Sequence, residues 1–510
     1  MMSWPSALVL SCLLPAVARL VYNIWLHPLA DVPGPFWARA SGIPSWLHAM
    51  SGKRHIWLWQ QFQIFGPRIR ITPNTVLFCD STAYADVYGM KSNVRRSHFY
   101  TAFKRKISEN TTLNTIDVAQ HAYKRKLLQT CFTEKSMRAA TTFIIKHVDR
   151  WNEVLTQESG TNEKEWSAFV NFSDKIDALI FDIMGDLSFG RSFDIKEPGE
   201  NQLKVIPHTI VEYMKFYYPF CRSPFLPLLI WLKPRGIDWF FDKVTPPSVQ
   251  QQYNKFIFDS VTNRIKLHRE QKDKPEREQR QVIFHFLCEA RDPDTGLVAY
   301  DETDLRTESS LLIIAGTDTT SVSISGIFFY LKGDPGRLQK LTDEIRTTFD
   351  SAEEIVLGPK LRGCQYFLAC IDEGMRLTPS GPCELPREVL SGGMPVKGRY
   401  YPRGHDCRDG ALGQLAQRGG LGRCRGVPTG TLDLGRGEGR DGRVPSRIKA
   451  NFHPFSTGPG SCVGRPIAMA EIMIVVARTL YRFDLRRAPG STTGGGRADL
   501  GWGARDEHQM

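Results

Sequence analysis

Phe455-Ser456-Thr457-Gly458-Pro459-Gly460-Ser461-Cys462-Val463-Gly464 ends around a cysteine and leads into the apolar helical pattern of Ile467–Leu480. A cysteine at the mouth of a helix, on a glycine-rich loop, has loop N–H groups and a helix dipole aimed at its sulfur, and both favour the thiolate. A thiolate so held is a good axial ligand for haem iron. A buried structural cysteine would explain the sulfur alone and leave the three glycines and Phe455 around it without a purpose.

Working upstream, Ala315-Gly316-Thr317-Asp318-Thr319-Thr320 lies within the apolar helical stretch Leu311–Tyr330. Small Ala315 and Gly316 leave room beside a flat group, and the acid–alcohol pair Asp318 and Thr319 can relay protons. In isolation such a pair reads as capping chemistry; with Cys462 downstream it reads as catalytic. Glu373-Gly374-Met375-Arg376 puts a carboxylate and a guanidinium three residues apart on one helix face. His121 and Arg125 stand four apart on another helical stretch, with a solvated basic face (Lys124, Arg125, Lys126) as the competing reading. Arg387 follows the Glu373–Arg376 helix in Leu385-Pro386-Arg387-Glu388.

In this order the segments resemble the cytochrome P-450 monooxygenases of the fungal microsomal type. Phe455, Gly458, Cys462 and Gly464 match four of the five fixed positions of that family's cysteine loop; Gly460 replaces a basic residue that usually pairs with a haem propionate. The resemblance implies a mainly α fold with small β-sheets, a cytochrome P-450 fold behind a single N-terminal membrane anchor. It implies Cys462 as the axial ligand of haem b, and His121, Arg125 and Arg387 as propionate anchors. Glu373 and Arg376 become a structural pair, while Asp318, Thr319, Ala315 and Gly316 become the oxygen-activation segment. Implied chemistry is insertion of one atom of O2 into an apolar, secondary-metabolite-type substrate, with electrons from NADPH. The separate donor would be NADPH-cytochrome P-450 reductase, with cytochrome b5 as a further donor. Competing readings are a haem-thiolate isomerase or dehydratase, and an inactive member unable to hold haem.

The rest of the chain sets bounds on these readings. Its 510 residues, 41% hydrophobic and 24% charged, exclude wholesale disorder and a multi-span membrane protein. The charge of +12 suits an acidic partner, an anionic membrane surface or nucleic acid; with the family resemblance, nucleic acid is not expected. The eleven cysteines include no CxxC, which argues against a zinc site and for a reducing compartment. Met1–Ala18 is uncharged, and with Leu20–Leu26 beyond Arg19 it is long enough for one membrane span. Residues 1–27 are therefore expected to anchor the chain in the endoplasmic reticulum membrane, single-pass. Arg39, Lys53 and Arg54 place the catalytic domain, 28–510, on the cytosolic side. Val32-Pro33-Gly34-Pro35 reads as a rigid neck. Met214–Leu232 reads equally as core or as a surface that dips into membrane.

Residues 403–447 depart from the pattern. They hold 12 glycines and nine arginines with no lysine and no aromatic residue, a composition unable to build the packed surface expected beneath haem. The family's Pro-Glu-Arg-Phe-like segment, whose arginine completes the Glu373–Arg376 pair, is missing there. Val427-Pro428-Thr429-Gly430-Thr431-Leu432 can be encoded so that a one-base shift reads Phe-Arg-Pro-Glu-Arg-Trp. The expectation is a compensated frameshift over about residues 405–447. Gly437–Gly442 matches GxGxxG but follows no strand pattern, so no dinucleotide site is expected. Relatives also continue into a further β-hairpin beyond Trp502-Gly503.

Overall fold

The computed structural model describes residues 4–104, 109–159, 166, 167, 169–232, 235, 236, 247–271, 274, 275, 281–292, 294–381, 384–409 and 452–488. Helices dominate. In chain order the first half gives α1 (Trp4–Val21), α2 (Phe36–Ala40), α3 (Ile43–Met50), α4 (Arg54–Phe65), β1 (Arg68–Thr72), β2 (Thr75–Phe78), α5 (Ser81–Tyr88), β3 (Val94–Arg96), α6 (Val118–Gln129), α7 (Glu134–Ser159), α8 (Phe172–Phe189), α9 (Ile206–Arg222) and α10 (Leu226–Leu232). Then follow α11 (Pro247–Gln271), α12 (Ile283–Glu289), α13 (Glu302–Lys332), α14 (Pro335–Thr348), α15 (Pro359–Gly363), α16 (Gln365–Leu377), β4 (Arg387–Val389), β5 (Met394–Val396), β6 (Arg399–Tyr401), β7 (Asp406–Asp409) and α17 (Arg465–Arg482).

Aspartates start several of these helices. Asp80 accepts from the N–H groups of Thr82 and Ala83, Asp117 from Gln120, and Asp301 from Asp304, each satisfying donors that have no partner within the helix. The central helix is α13, 31 residues long, packed against α8, α16 and α17. Trp151, Phe181, Ile324, Ile371 and Ile474, from α7, α8, α13, α16 and α17, are fully buried in one core.

A five-stranded sheet has the order β1-β2-β7-β4-β3, and β5 and β6 form a two-stranded one. β2 and β7 run parallel and the other pairs antiparallel, so the larger sheet is mixed. Its register sets Arg96 opposite Arg387, and Arg387 opposite Cys407. β7 shows that the first residues of the stretch with aberrant composition, through residue 409, are built into the sheet. β7 sits between β2 and β4 with Cys407 fully buried. Residues 410–451 lie outside the described residues, and with them the shifted-frame segment; the same holds for 489–510.

At the N-terminus α1 runs on into a π-helical turn, Tyr22–Leu26. Leu13, Leu14, Val17, Leu20, Trp25 and Leu26 are exposed along it, whereas Asn23, Ile24 and His27 are buried against the body. Among the described residues the helix long and apolar enough to cross a membrane is α13, and 56% of that window is buried inside the protein, which makes it the core helix. The proline neck is docked: Arg70 N–H donates to the Pro33 carbonyl at 2.7 Å. Residues 214–232 divide between the two expected roles, with Cys221 and Leu226 buried and Phe225, Leu228 and Trp231 about half exposed.

Candidate functional site

The cysteine loop is held from below by α5. Tyr84 stacks on His453 at 4.4 Å, and its hydroxyl donates to Ser456 Oγ at 3.1 Å. Gly458 has φ +64° and lies against the Tyr88 carbonyl, so no side chain fits there. Cys462 N–H donates to the Phe455 carbonyl at 2.8 Å, which closes the loop three residues before α17 begins. Phe455 packs on the main core beneath the Arg465 guanidinium, 5.7 Å away. A Cβ on Gly464 would stand 3.9 Å from the cysteine sulfur.

Cys462 is exposed at the surface of this loop. Desolvation pushes its thiol up, against the opposing pull of the Gly464 and Arg465 N–H groups and the Arg125 and Arg465 charges. The loop and helix N–H groups are thus aimed at the sulfur.

Beside the loop, cations converge. Arg125 donates to Ser461 through its carbonyl (2.5 Å) and its Oγ (3.0 Å). Arg387 donates to Tyr100 Oη at 3.3 Å and to the Pro386 carbonyl at 3.2 Å, and its guanidinium lies 5.1 Å from the Tyr88 ring centre. Arg96, buried with its N–H groups on the Thr112 and Leu113 carbonyls, is lowered to about 10 by burial and by Arg387 and Arg125. His121 is buried with no partner for Nε2 among the described residues. Burial and then Arg96, Arg125 and Arg387 drive its imidazole down to about 3, so it is neutral near pH 7. Like charges directly opposite in a sheet repel, and Arg96 faces Arg387 across β3 and β4. Three guanidiniums and an unpartnered imidazole suit a polyanionic ligand edge, such as the carboxylates of haem. The residues fit that group.

Gly460 belongs to the same cluster. A Cβ there would stand 2.5 Å from Arg387 Nη2. The space that a basic side chain would need at 460 is taken by the head of Arg387.

The second part of the site is a strip on α13. Ala315, Asp318 and Thr319, at i, i+3 and i+4, are exposed, whereas Leu312, Thr317, Thr320 and Ser321 around them are buried. Thr319 Oγ1 donates to the Ala315 carbonyl at 2.7 Å. Burial pushes the Asp318 carboxyl up. Gly316 also meets α8: a Cβ on it would come within 2.6 Å of the Met184 methyl group, so a glycine here allows the two helices to pack closely. Glu373 and Arg376 form a bidentate pair at 2.7 Å for both bonds, with 4% of each side chain exposed. The stretch where the family's completing arginine is expected, and where the sequence lacks it, lies outside the described residues from 410 to 451.

Arg96 and Tyr100 were not legible in the sequence, because only strand register brings them to Arg387. Two carboxyls beside α13, one half-buried and one fully buried, were likewise missed. Asp177 on α8 is pushed up to about 6 by burial, with Asp318 adding to the rise. Glu471 on α17 is pushed up to about 8 by burial, with the Thr320 hydroxyl pulling the other way. Among the described residues no group of three or more His, Cys, Asp or Glu side chains could hold a metal ion, and Cys79, Cys131, Cys221, Cys288, Cys364, Cys370, Cys407 and Cys462 form no disulfide.

The sequence model of the family described as Cytochrome P450 matches residues 46–407 and 438–494. The chain is 32% identical over 502 residues to the cytochrome P450 monooxygenase fscF of Fusarium equiseti, covering 95% of this chain and 90% of that protein. It is 28% identical over 499 residues to the cytochrome P450 monooxygenase AKT7 of Alternaria alternata, covering 97% and 91%. With poxM of Penicillium oxalicum, also a cytochrome P450 monooxygenase, identity is 27% over 475 residues, 92% and 87% covered. The cysteine loop, the cation cluster and the open strip on α13 thus stand in a chain that aligns almost end to end with such enzymes, and it belongs to the cytochrome P450 family as a P450 monooxygenase.

Proposed function

We propose that the chain inserts one oxygen atom of O2 into an apolar, secondary-metabolite-type substrate, using electrons from NADPH passed on by a separate reductase, with cytochrome b5 as a further donor. The observation that carries this reading is the strip Ala315, Asp318 and Thr319, a small residue beside an acid–alcohol pair on an otherwise buried helix. Haem held by Cys462 supplies the activation of dioxygen.

The chain's own residues do the rest. Arg96, Arg125, Arg387 and His121 would hold the carboxylate edge of haem. Ala315 keeps that face of the helix low. Asp318, whose carboxyl desolvation pushes up, and Thr319 Oγ1 would deliver protons to the reaction that the haem supplies. Thr319 must release the Ala315 carbonyl to do so. An isomerase or dehydratase would need no such pair.

Anchoring by residues 1–27 in the endoplasmic reticulum membrane, with the body cytosolic, is part of the same proposal. The exposed apolar face from Leu13 to Leu26 supports it. The frameshift reading of about residues 405–447 is a further part of the proposal. The family match is interrupted at 408–437, inside that stretch.

The test is the carbon monoxide difference spectrum of reduced membranes carrying the chain as written and a version with the shifted segment restored. A thiolate-type band in both supports the enzyme reading for this sequence. A band only in the restored version assigns the lesion to 403–447. No band in either, or turnover without O2 and NADPH, refutes the monooxygenase reading.

A further inference from the structure

Arg222 closes α9 with 4% of its side chain exposed. Its Nη1 donates to Glu384 Oε1 at 2.9 Å, but Nε and Nη2 are buried with no partner among the described residues. Glu384 is already engaged: Arg54 donates from Nη2 to Oε1 at 2.6 Å and from Nη1 to Oε2 at 2.9 Å. Arg54 also reaches Ser45 Oγ from Nε at 2.9 Å. Two guanidiniums therefore share one carboxylate, with exposures of 2%, 4% and 1% for Arg54, Arg222 and Glu384. The triad carries one uncompensated positive charge away from water.

Such a charge is costly to bury, and so are two donors without acceptors. The Phe99 ring beneath the Arg222 guanidinium, 4.2 Å away, and Tyr218 at 5.4 Å offset part of that cost. Neither can accept the two in-plane N–H groups. Nε and Nη2 form one edge of the guanidinium, the edge that grips a carboxylate with two parallel hydrogen bonds.

The location fits a substrate. Phe99 neighbours Tyr100 at 5.5 Å in the 3-10 turn His98–Phe103, and Tyr100 Oη accepts from Arg387. A line of contacts thus runs from Gly460 through Arg387, Tyr100 and Phe99 to Arg222, leading away from the cysteine loop. The haem carboxylates are served at its near end by Arg96, Arg125 and Arg387; Arg222 stands at its far end.

We propose that Arg222 binds a carboxylate of the substrate, so that the substrate class is an otherwise apolar organic acid held by its anionic end. The proposal rests on the monooxygenase reading and adds the substrate's charge to it.

The test titrates the full chain with straight-chain carboxylates from octanoate to hexadecanoate and with their methyl esters. One readout is the shift in the Soret band of the bound haem. The other is the thermal midpoint of the chain, which reads binding with or without haem. Acids are expected to bind at least tenfold more tightly than esters. Arg222→Gln is expected to weaken the acids by about tenfold to a hundredfold and leave the esters unchanged, while Glu384→Gln retains the preference for acids. Equal affinity for acid and ester, no effect of either on the midpoint, or equal loss of both in Arg222→Gln overturns the proposal. If Arg222→Gln does not fold, the acid–ester comparison in the unaltered chain decides. A midpoint shift by acids without any thiolate-type Soret band sinks the monooxygenase reading and leaves the anion site standing.

Discussion

Replacing Gly460 by alanine tests whether Arg387 has taken over the place of the basic residue that relatives carry there. The new Cβ would stand 2.5 Å from Arg387 Nη2, closer than real contacts allow, so the guanidinium must swing away. It is the far end of a flexible side chain, and its fixed contacts are few, with Tyr100 Oη at 3.3 Å and the Pro386 carbonyl at 3.2 Å. Stability of the haem-free chain should therefore change by less than about 1 kcal/mol, the size of one ordinary hydrogen bond. Haem retention should change more. A displaced guanidinium loses one charge-assisted bond to a carboxylate, about 1.5–3 kcal/mol, or roughly a 10- to 150-fold faster haem loss. The assay is haem transfer to excess apomyoglobin, followed at the Soret band beside urea midpoints of the haem-free chain. Gly460→Arg should lose haem at least as fast, since its side chain collides with the same head. Combining Gly460→Arg with Arg387→Ala should recover part of the loss by returning one cation to the site. Unchanged haem loss in Gly460→Ala, or tight haem in Gly460→Arg with Arg387 intact, would show that Arg387 does not occupy this place in the loaded protein.

Three further outcomes follow from the same geometry. Asp318→Asn and Thr319→Val should leave the haem band intact and cut product formed per NADPH consumed, about a hundredfold for the Asp318 variant, with peroxide released instead; coupled turnover in both would refute the proton role. Glu471 is neutral in the folded chain up to about pH 8, so the penalty for burying it is absent below about pH 4.5 and grows as pH rises between those values. Glu471→Gln should therefore gain stability over the parent as pH rises, on the order of 3 kcal/mol at pH 7, and a gain independent of pH in urea titrations would contradict the burial argument. Arg376→Ala leaves the Glu373 carboxylate buried without its bidentate partner and should cost about 3–5 kcal/mol, read as a fall in thermal midpoint, whereas Arg376→Ala with Glu373→Gln should lose less.

What the sequence disclosed and what it hid divides along a physical line. Cys462, Asp318, Thr319, Glu373 and Arg376 were legible because each pairs a distinctive residue with a local spacing, and local spacing survives into helices and loops. β1 and β2 were legible through alternation in Arg68–Thr72 and Val76–Phe78. The three-residue strands β3, β4, β5 and β6 are too short for any period to register, and Arg96 belongs to one of them. Its neighbour across the sheet, Arg387, lies 291 positions later in the chain, and nothing in either segment announces the pairing. Gly316 follows Ala315 in sequence, but a helix turns about 100° per residue, and Gly316 meets Met184 on α8, a contact that no local spacing announces.

The ionic groups sharpen the same point. In two places strand register or a helix end brings together arginines from distant segments: Arg96 with Arg387, and Arg54 with Arg222. Folding alone gains little from either arrangement, since each sets cation near cation in poorly solvated surroundings. Arg54 and Arg222 share one glutamate, whereas Arg96 donates to the Thr112 and Leu113 carbonyls and Arg387 to Tyr100 Oη and the Pro386 carbonyl, with no carboxylate between them among the described residues. Both become favourable once an anion is bound, and the first cluster has haem carboxylates to receive. The second has a related design, a guanidinium with two buried nitrogens left unpartnered over an aromatic floor. A substrate that brings its own carboxylate would complete it as haem completes the first.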